Sequence, residues 1–209
     1  MKTILFQGDS ITDVGRSREV PESAWLMGGG YPTVVSATLG SSCPGEYAFY
    51  NRGIGGNRIV DVYARIKNDI INLKPDYMSL LIGVNDVWHE DRQNGVDAAK
   101  FEKIYGMLID EIRAELPNIK FILLGAFVTE GSELDGRYAE FRAEVEKRAA
   151  AAKRIAKEKG CCFVDLQSVF DEACQKAPAT YWTLEGVHPL APGHGIIAKE
   201  WLKAFETVK

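Results

Sequence analysis

The N-terminal stretch Thr3-Ile4-Leu5-Phe6-Gln7-Gly8-Asp9-Ser10-Ile11-Thr12-Asp13 governs the reading of the whole chain. An apolar run of strand length stops at a glycine, and a sequence suited to starting a helix follows. Four more stretches have the same strand character. They are residues 46–51, 77–82, 119–126 and 161–165, three of them entered through Lys74-Pro75-Asp76, Leu116-Pro117-Asn118 and Gly160. Several are almost continuously apolar, as expected of strands covered on both faces. Helical periodicity fills the gaps. Over 97–115, Phe101, Ile104, Tyr105, Leu108, Ile109 and Ile112 fall on one stripe; over 137–158, Tyr138, Phe141, Val145, Ala149, Ala152 and Ile155 fall on another. Further helices are expected over 59–73 and 193–205. This alternation predicts an α/β fold, an open parallel sheet with helices on both faces, as one domain over 1–209.

Composition agrees. The chain has 209 residues, 46% of them hydrophobic and 26% charged, which is ordinary for a globular protein with a sizeable core. The formal charge is −4, from 25 basic and 29 acidic residues. Nothing in that balance attracts nucleic acid or an anionic membrane. No apolar run reaches the roughly 18 residues of a membrane helix, and the N-terminus has too short an apolar part for a signal peptide. A cytoplasmic location is expected. Cys43, Cys161, Cys162 and Cys174 lack ligand or redox spacing, so they are read as small hydrophobes or surface thiols.

In a sheet of this kind the functional crevice lies beyond the carboxyl ends of the strands. Four blocks qualify. Gly8-Asp9-Ser10 follows the first strand, where Asp9 or Ser10 equally suits a helix cap. Asn51-Arg52-Gly53-Ile54-Gly55-Gly56-Asn57 follows the second. It lacks a P-loop lysine and a dinucleotide fingerprint, but its glycines let backbone N–H groups approach a ligand. Gly83-Val84-Asn85-Asp86-Val87-Trp88-His89 follows the third, with Asn85 either a turn former or a side-chain N–H donor to a developing oxyanion. The last block is Tyr181-Trp182-Thr183-Leu184-Glu185-Gly186-Val187-His188-Pro189. His188 suits a general base with an acidic residue three positions earlier. His194 is expected to be structural, at the start of the last helix. The spacing of His188 and His194 matches no common metal site.

These blocks, in this order, resemble the SGNH hydrolases, also called GDSL-type esterases. The markers of that family are matched by Ser10, Gly56, Asn85 and His188, and the resemblance runs from Gly8 to His194. It implies a flavodoxin-like three-layer α/β/α fold with a five-stranded parallel sheet, and ester hydrolysis without a cofactor or metal. Ser10 would attack the ester carbonyl and His188 would carry its proton. The Ser10 and Gly56 N–H groups and the Asn85 side chain would form the oxyanion hole. The family usually places Asp three residues before the histidine. This chain has Glu185, expected to orient His188, and an aspartate there is expected to serve at least as well.

Within the family the chain looks most like small intracellular carbohydrate acetyl esterases acting on xylo-oligosaccharides. The matching phrases are Phe6 to Asp13, Gly83 to Trp88, and Trp182 ahead of His188-Pro189. The implied substrate is a small-molecule ester, an acetylated oligosaccharide, with Asp9, Trp25, Trp88 and Trp182 as substrate-binding residues. Residues 16–30 are expected to loop over the site. Relatives of this size are often homo-oligomers. Rival readings are a broader arylesterase or lysophospholipase and a non-catalytic carbohydrate-binding descendant.

Overall fold

The computed structural model describes residues 1–18 and 27–209. Five parallel strands form one sheet in the order β2-β1-β3-β4-β5. They are β1 (Lys2–Gly8), β2 (Tyr47–Asn51), β3 (Tyr77–Leu81), β4 (Lys120–Leu124) and β5 (Cys162–Val164). Alternate side chains leave opposite faces of the sheet. Ile4, Phe6, Tyr77, Ile122 and Leu124 enter one core, whereas Leu5, Met78, Leu80, Phe121 and Leu123 enter the other.

The first core is covered by α2 (Tyr31–Ser42), α8 (Leu166–Cys174) and α10 (Ala191–Val208), through Val35, Leu39, Phe170 and Trp201. The second is covered by α3 (Ile59–Ala64), α6 (Ala98–Glu115) and α7 (Tyr138–Lys159). The stripe expected on α6 is buried at Phe101, Tyr105, Leu108, Ile109 and Ile112. The result is the three-layer arrangement of helices, sheet and helices expected from the sequence. Short helices occupy the strand ends: α1 (Ser10–Asp13) after β1 and α5 (Val84–Trp88) after β3, with α9 (Ala179–Trp182) before the last loop.

Two helical expectations need correction. Residues 59–73 do not form one helix. They break into α3, α4 (Ile66–Asp69) and a 3-10 turn over Ile71–Leu73. The break falls at Arg65, whose backbone leaves helical geometry while its guanidinium reaches Asn57, the Arg52 carbonyl, Asp69 and Gln7. The alternation read from sequence also omitted α2 and α8.

Among the described residues no helix is long and apolar enough to cross a membrane. All four cysteines are free thiols, each half-buried.

Candidate active site

The strand order reverses direction between β1 and β3, and the crevice at such a switch point is where open α/β sheets bind ligands. Ser10 sits there as the first residue of α1. The cap of that helix is Asp9, whose carboxylate accepts the Ile11 N–H at 3.0 Å. Asp9 is 1% exposed, and burial pushes its carboxyl up to about 7. It therefore lies beneath the site and shapes the Ser10 turn; the expected substrate contact is corrected to this capping role.

Ser10 Oγ stands 2.8 Å from His188 Nε2, and His188 Nδ1 bonds Glu185 Oε1. The imidazole thus joins a hydroxyl from the far end of the chain to a carboxylate three residues before it. The His188 side chain is 48% exposed, and that of Glu185 16%. The loop is held by Leu184 N–H donating to the His188 carbonyl at 2.8 Å and by a bridge between Thr183 and Pro189. Glu185, one methylene longer than aspartate, meets His188 Nδ1 directly.

The glycine block after β2 lies against Ser10: a methyl on Gly55 would meet the Ser10 Cβ at 3.8 Å. Ile54–Asn57 is a turn closed by Asn57 N–H on the Ile54 carbonyl. Gly56, at φ +80, takes the turn position that disfavours any side chain. The N–H groups of Ser10 and Gly56 donate to no atom among the described residues. Asn85 Nδ2 donates to the Asn57 carbonyl at 3.1 Å, which leaves its second N–H for a ligand. The structure therefore gathers Ser10, Gly56, Asn85, Glu185 and His188 at one edge.

Several residues that hold this arrangement were not singled out from sequence. Asn51 donates to the Thr12 and Met27 carbonyls at 2.7 and 2.8 Å and accepts from Gly53 N–H at 2.9 Å. Asp13 accepts from Gly55 N–H at 3.1 Å, and Arg16 Nε donates to the Gly53 carbonyl at 2.7 Å. Arg65 links Gln7 to Asn57, the residue that holds Asn85. Asp86 accepts the Ile59 N–H with both oxygens, at 3.0 and 3.3 Å, and so pins α5 to α3. A polar residue closing an otherwise apolar strand was the available signal for Asn51. The bonds to remote backbone left none for the others.

Asp86 is fully buried, and burial pushes its carboxyl up to about 7, with the charge of Asp9 adding to the effect. The folded-state value lies above the unfolded one, so the native state retains a proton that the unfolded chain gives up. The stabilisation is complete below the unfolded value and is lost as pH rises through about 7. Asp86→Asn keeps an acceptor for Ile59 and carries no charge. It is expected to melt above the wild type at pH 8, with the gap shrinking at pH 5. Thermal melts at both values check this, and a gap independent of pH would show that Asp86 is not the titrating group.

His194 lies inside α10, 4% exposed, with Nδ1 accepting the Tyr31 N–H at 3.2 Å. Burial, and then the nearby His188, push it down to about 4. This is the structural histidine expected from sequence.

A cavity of about 510 Å³ opens beside the imidazole. Val84, Asn85 and Trp88 line it from α5, Ser132 and Glu133 from the loop after β4, and Leu184, Glu185, Val187 and His188 from the last loop. Trp88 takes the Arg137 guanidinium over its ring at 5.1 Å and meets Phe141 edge-on at 5.3 Å. It both packs and lines the cavity. Trp182 is not among the lining residues. Its Nε1 donates to the Ala177 carbonyl at 3.2 Å, and it packs half-buried on the core under α10, contacts that give it a packing role. Trp25 lies outside the described residues. Of the segment 16–30, Arg16 and Met27 are buried beside the glycine block. Among the described residues no group of three or more His, Cys, Asp or Glu could hold a metal ion.

Comparison with known proteins places this geometry. The chain is 35% identical to an acetylxylan esterase of Geobacillus stearothermophilus, over 99% of this chain and 95% of that one. A structure of an acetylxylan esterase from that organism superposes with a TM-score of 0.87 at 32% identity, covering 97% of this chain and 93% of the other. Catalytic mutants of that enzyme carry alanine in place of a serine, an aspartate or a histidine, the last two three residues apart. Glu185 and His188 have the same spacing. A putative GDSL-like lipase from Parabacteroides merdae superposes with a TM-score of 0.91 at 33% identity, covering 97% and 94% of the two chains. Residues 6–196 match the GDSL-like lipase/acylhydrolase family as a whole. The chain belongs to that family and is a carboxylic ester hydrolase.

Proposed function

We propose that this enzyme removes acetyl groups from carbohydrate esters by a Ser-His-Glu mechanism. The observation that carries the proposal is the Ser10 Oγ to His188 Nε2 contact at 2.8 Å with Nδ1 held by Glu185. With Nδ1–H directed at the carboxylate, Nε2 is an acceptor and can take the Ser10 proton as Oγ attacks the ester carbonyl. The negative oxygen of the tetrahedral intermediate is met by the Ser10 and Gly56 N–H groups and the Asn85 amide. Each such donor is worth about 100- to 1,000-fold in turnover. His188 then protonates the leaving alcohol, and a water activated by the same Nε2 releases acetate.

The cavity supports a carbohydrate alcohol. At about 510 Å³ it far exceeds an acetyl group, and its wall is mixed. Trp88, Leu184 and Val187 offer apolar surface, and Ser132, Glu133 and Asn85 offer hydrogen-bonding groups. The likeness to an acetylxylan esterase supports the same reading. The apolar part of the wall, with Leu184 67% exposed at its rim, favours a second reading: a broader arylesterase or lysophospholipase taking longer acyl chains.

Acetate release from acetylated xylo-oligosaccharides, together with p-nitrophenyl esters of increasing chain length, separates the two. The expected result is sugar deacetylation, with kcat/KM falling at least about tenfold from acetyl to octanoyl. A rise with chain length, without sugar deacetylation, would overturn the carbohydrate reading.

A further inference from the structure

We infer that Gly131, on the loop between β4 and α7, is a positioning residue that acts through Glu185. The inference rests on the reading of Glu185 as the acid that orients His188. A methyl group at 131 would overlap the carbonyl carbon and oxygen of Glu185 and the backbone nitrogen of Gly186. The backbone of Gly131 is extended, at φ −175, so any residue could adopt its conformation. The requirement is for space alone. On the facing strand of this contact, Gly186 has φ +106, and a methyl there would lie 2.7 Å from the Thr129 carbonyl and 3.3 Å from Gly131. Two glycines thus meet where two backbones cross.

The crossing is fastened on both sides. Thr129 N–H donates to the Gly186 carbonyl at 2.9 Å, and the Thr129 and Thr183 hydroxyls bond at 2.6 Å. Leu134, fully buried, anchors the loop from beyond. The backbone from which the Glu185 side chain springs is therefore set by contact with the loop after β4. The Glu185 carboxylate reaches His188 Nδ1 from the backbone position this contact fixes. Shifting the crossing moves the carboxylate while leaving Ser10 and the oxyanion donors in place.

The test is a double-mutant cycle on p-nitrophenyl acetate hydrolysis. Gly131→Ala is expected to lower kcat about 10- to 100-fold with KM little changed. In a Glu185→Ala background the same substitution is expected to change kcat by less than about twofold, since the group it acts through is gone. A similar loss in both backgrounds, or no loss in the first, would overturn the proposal. If Glu185→Ala alone leaves kcat intact, the reading of Glu185 itself has failed, and the positioning role falls with it. Should Gly131→Ala not fold, Thr129→Val tests the same fastening without crowding. Its expected several-fold loss of kcat must likewise vanish in the Glu185→Ala background, and persistence there would overturn the proposal.

Discussion

Replacing Ser10 by alanine is expected to lower turnover of p-nitrophenyl acetate by about 10⁴-fold or more, the scale of loss when the nucleophile of such a unit is removed. The protein should stay folded. The Ser10 hydroxyl has one partner among the described residues, His188 Nε2, and α1 is capped by Asp9 rather than by Ser10. Alanine keeps every backbone bond of that turn and suits a first helical residue. The melting temperature should stay within about 2 °C of the wild type, as for a substitution that removes no buried contact. A fluorophosphonate should label the wild type and not the variant. Near-wild-type turnover in a folded Ser10→Ala protein would place the nucleophile elsewhere.

The strands were legible because both faces of the sheet are covered, which writes each strand as a compact apolar run between turn formers. All five appear within a few residues of expectation. Helix α2 was illegible for the opposite reason. Its Thr33, Val34, Val35 and Thr38 are β-branched, and Gly40 sits in its last turn, so local preference opposes a helix. It is held by packing Val35 and Leu39 against the core shared with α10. The break at Arg65 was hidden similarly, since its cause is a set of partners on β1 and in the glycine block.

The same division runs through the site. Residues directly after strands could be found, because the edge of a parallel sheet says where chemistry goes. The roles of Asp9 and Trp182 could not be settled by position alone. Lying in the same block as a marker residue is compatible with facing the ligand or facing inward; Asp9 is buried, and Trp182 is half-buried with its indole N–H bonded to backbone. Gly131 gave no signal because a requirement for empty space is visible only when the opposing backbone is in place.

Replacing Glu185 by alanine is expected to lower kcat by about 10³- to 10⁴-fold, as loss of the acid does in comparable triads. His188 is nearly half exposed, and among the described residues its Nδ1 has one partner, the Glu185 carboxylate. Without it the ring can turn and can carry its proton on Nε2, where it blocks acceptance from Ser10. Glu185→Gln sharpens the argument. The amide has the same reach, but its NH₂ can donate to Nδ1 and select that unproductive tautomer, so a loss close to that of alanine is expected.

Glu185→Asp tests geometry rather than charge. The family pattern alone suggests that aspartate would serve at least as well. The fastening of the loop argues for the opposite outcome. The loop is fixed by the Leu184 to His188 backbone bond, the Thr183–Pro189 bridge and the crossing at Gly131. It cannot slide forward to make up the missing methylene. Aspartate should therefore recover part of the activity lost with alanine and remain below the wild type. Kinetics of the three variants at matched folding check the series. Activity in all three within about threefold of the wild type, far less than loss of a triad acid costs, would mean that another group holds His188; full activity in aspartate alone would mean that the loop yields.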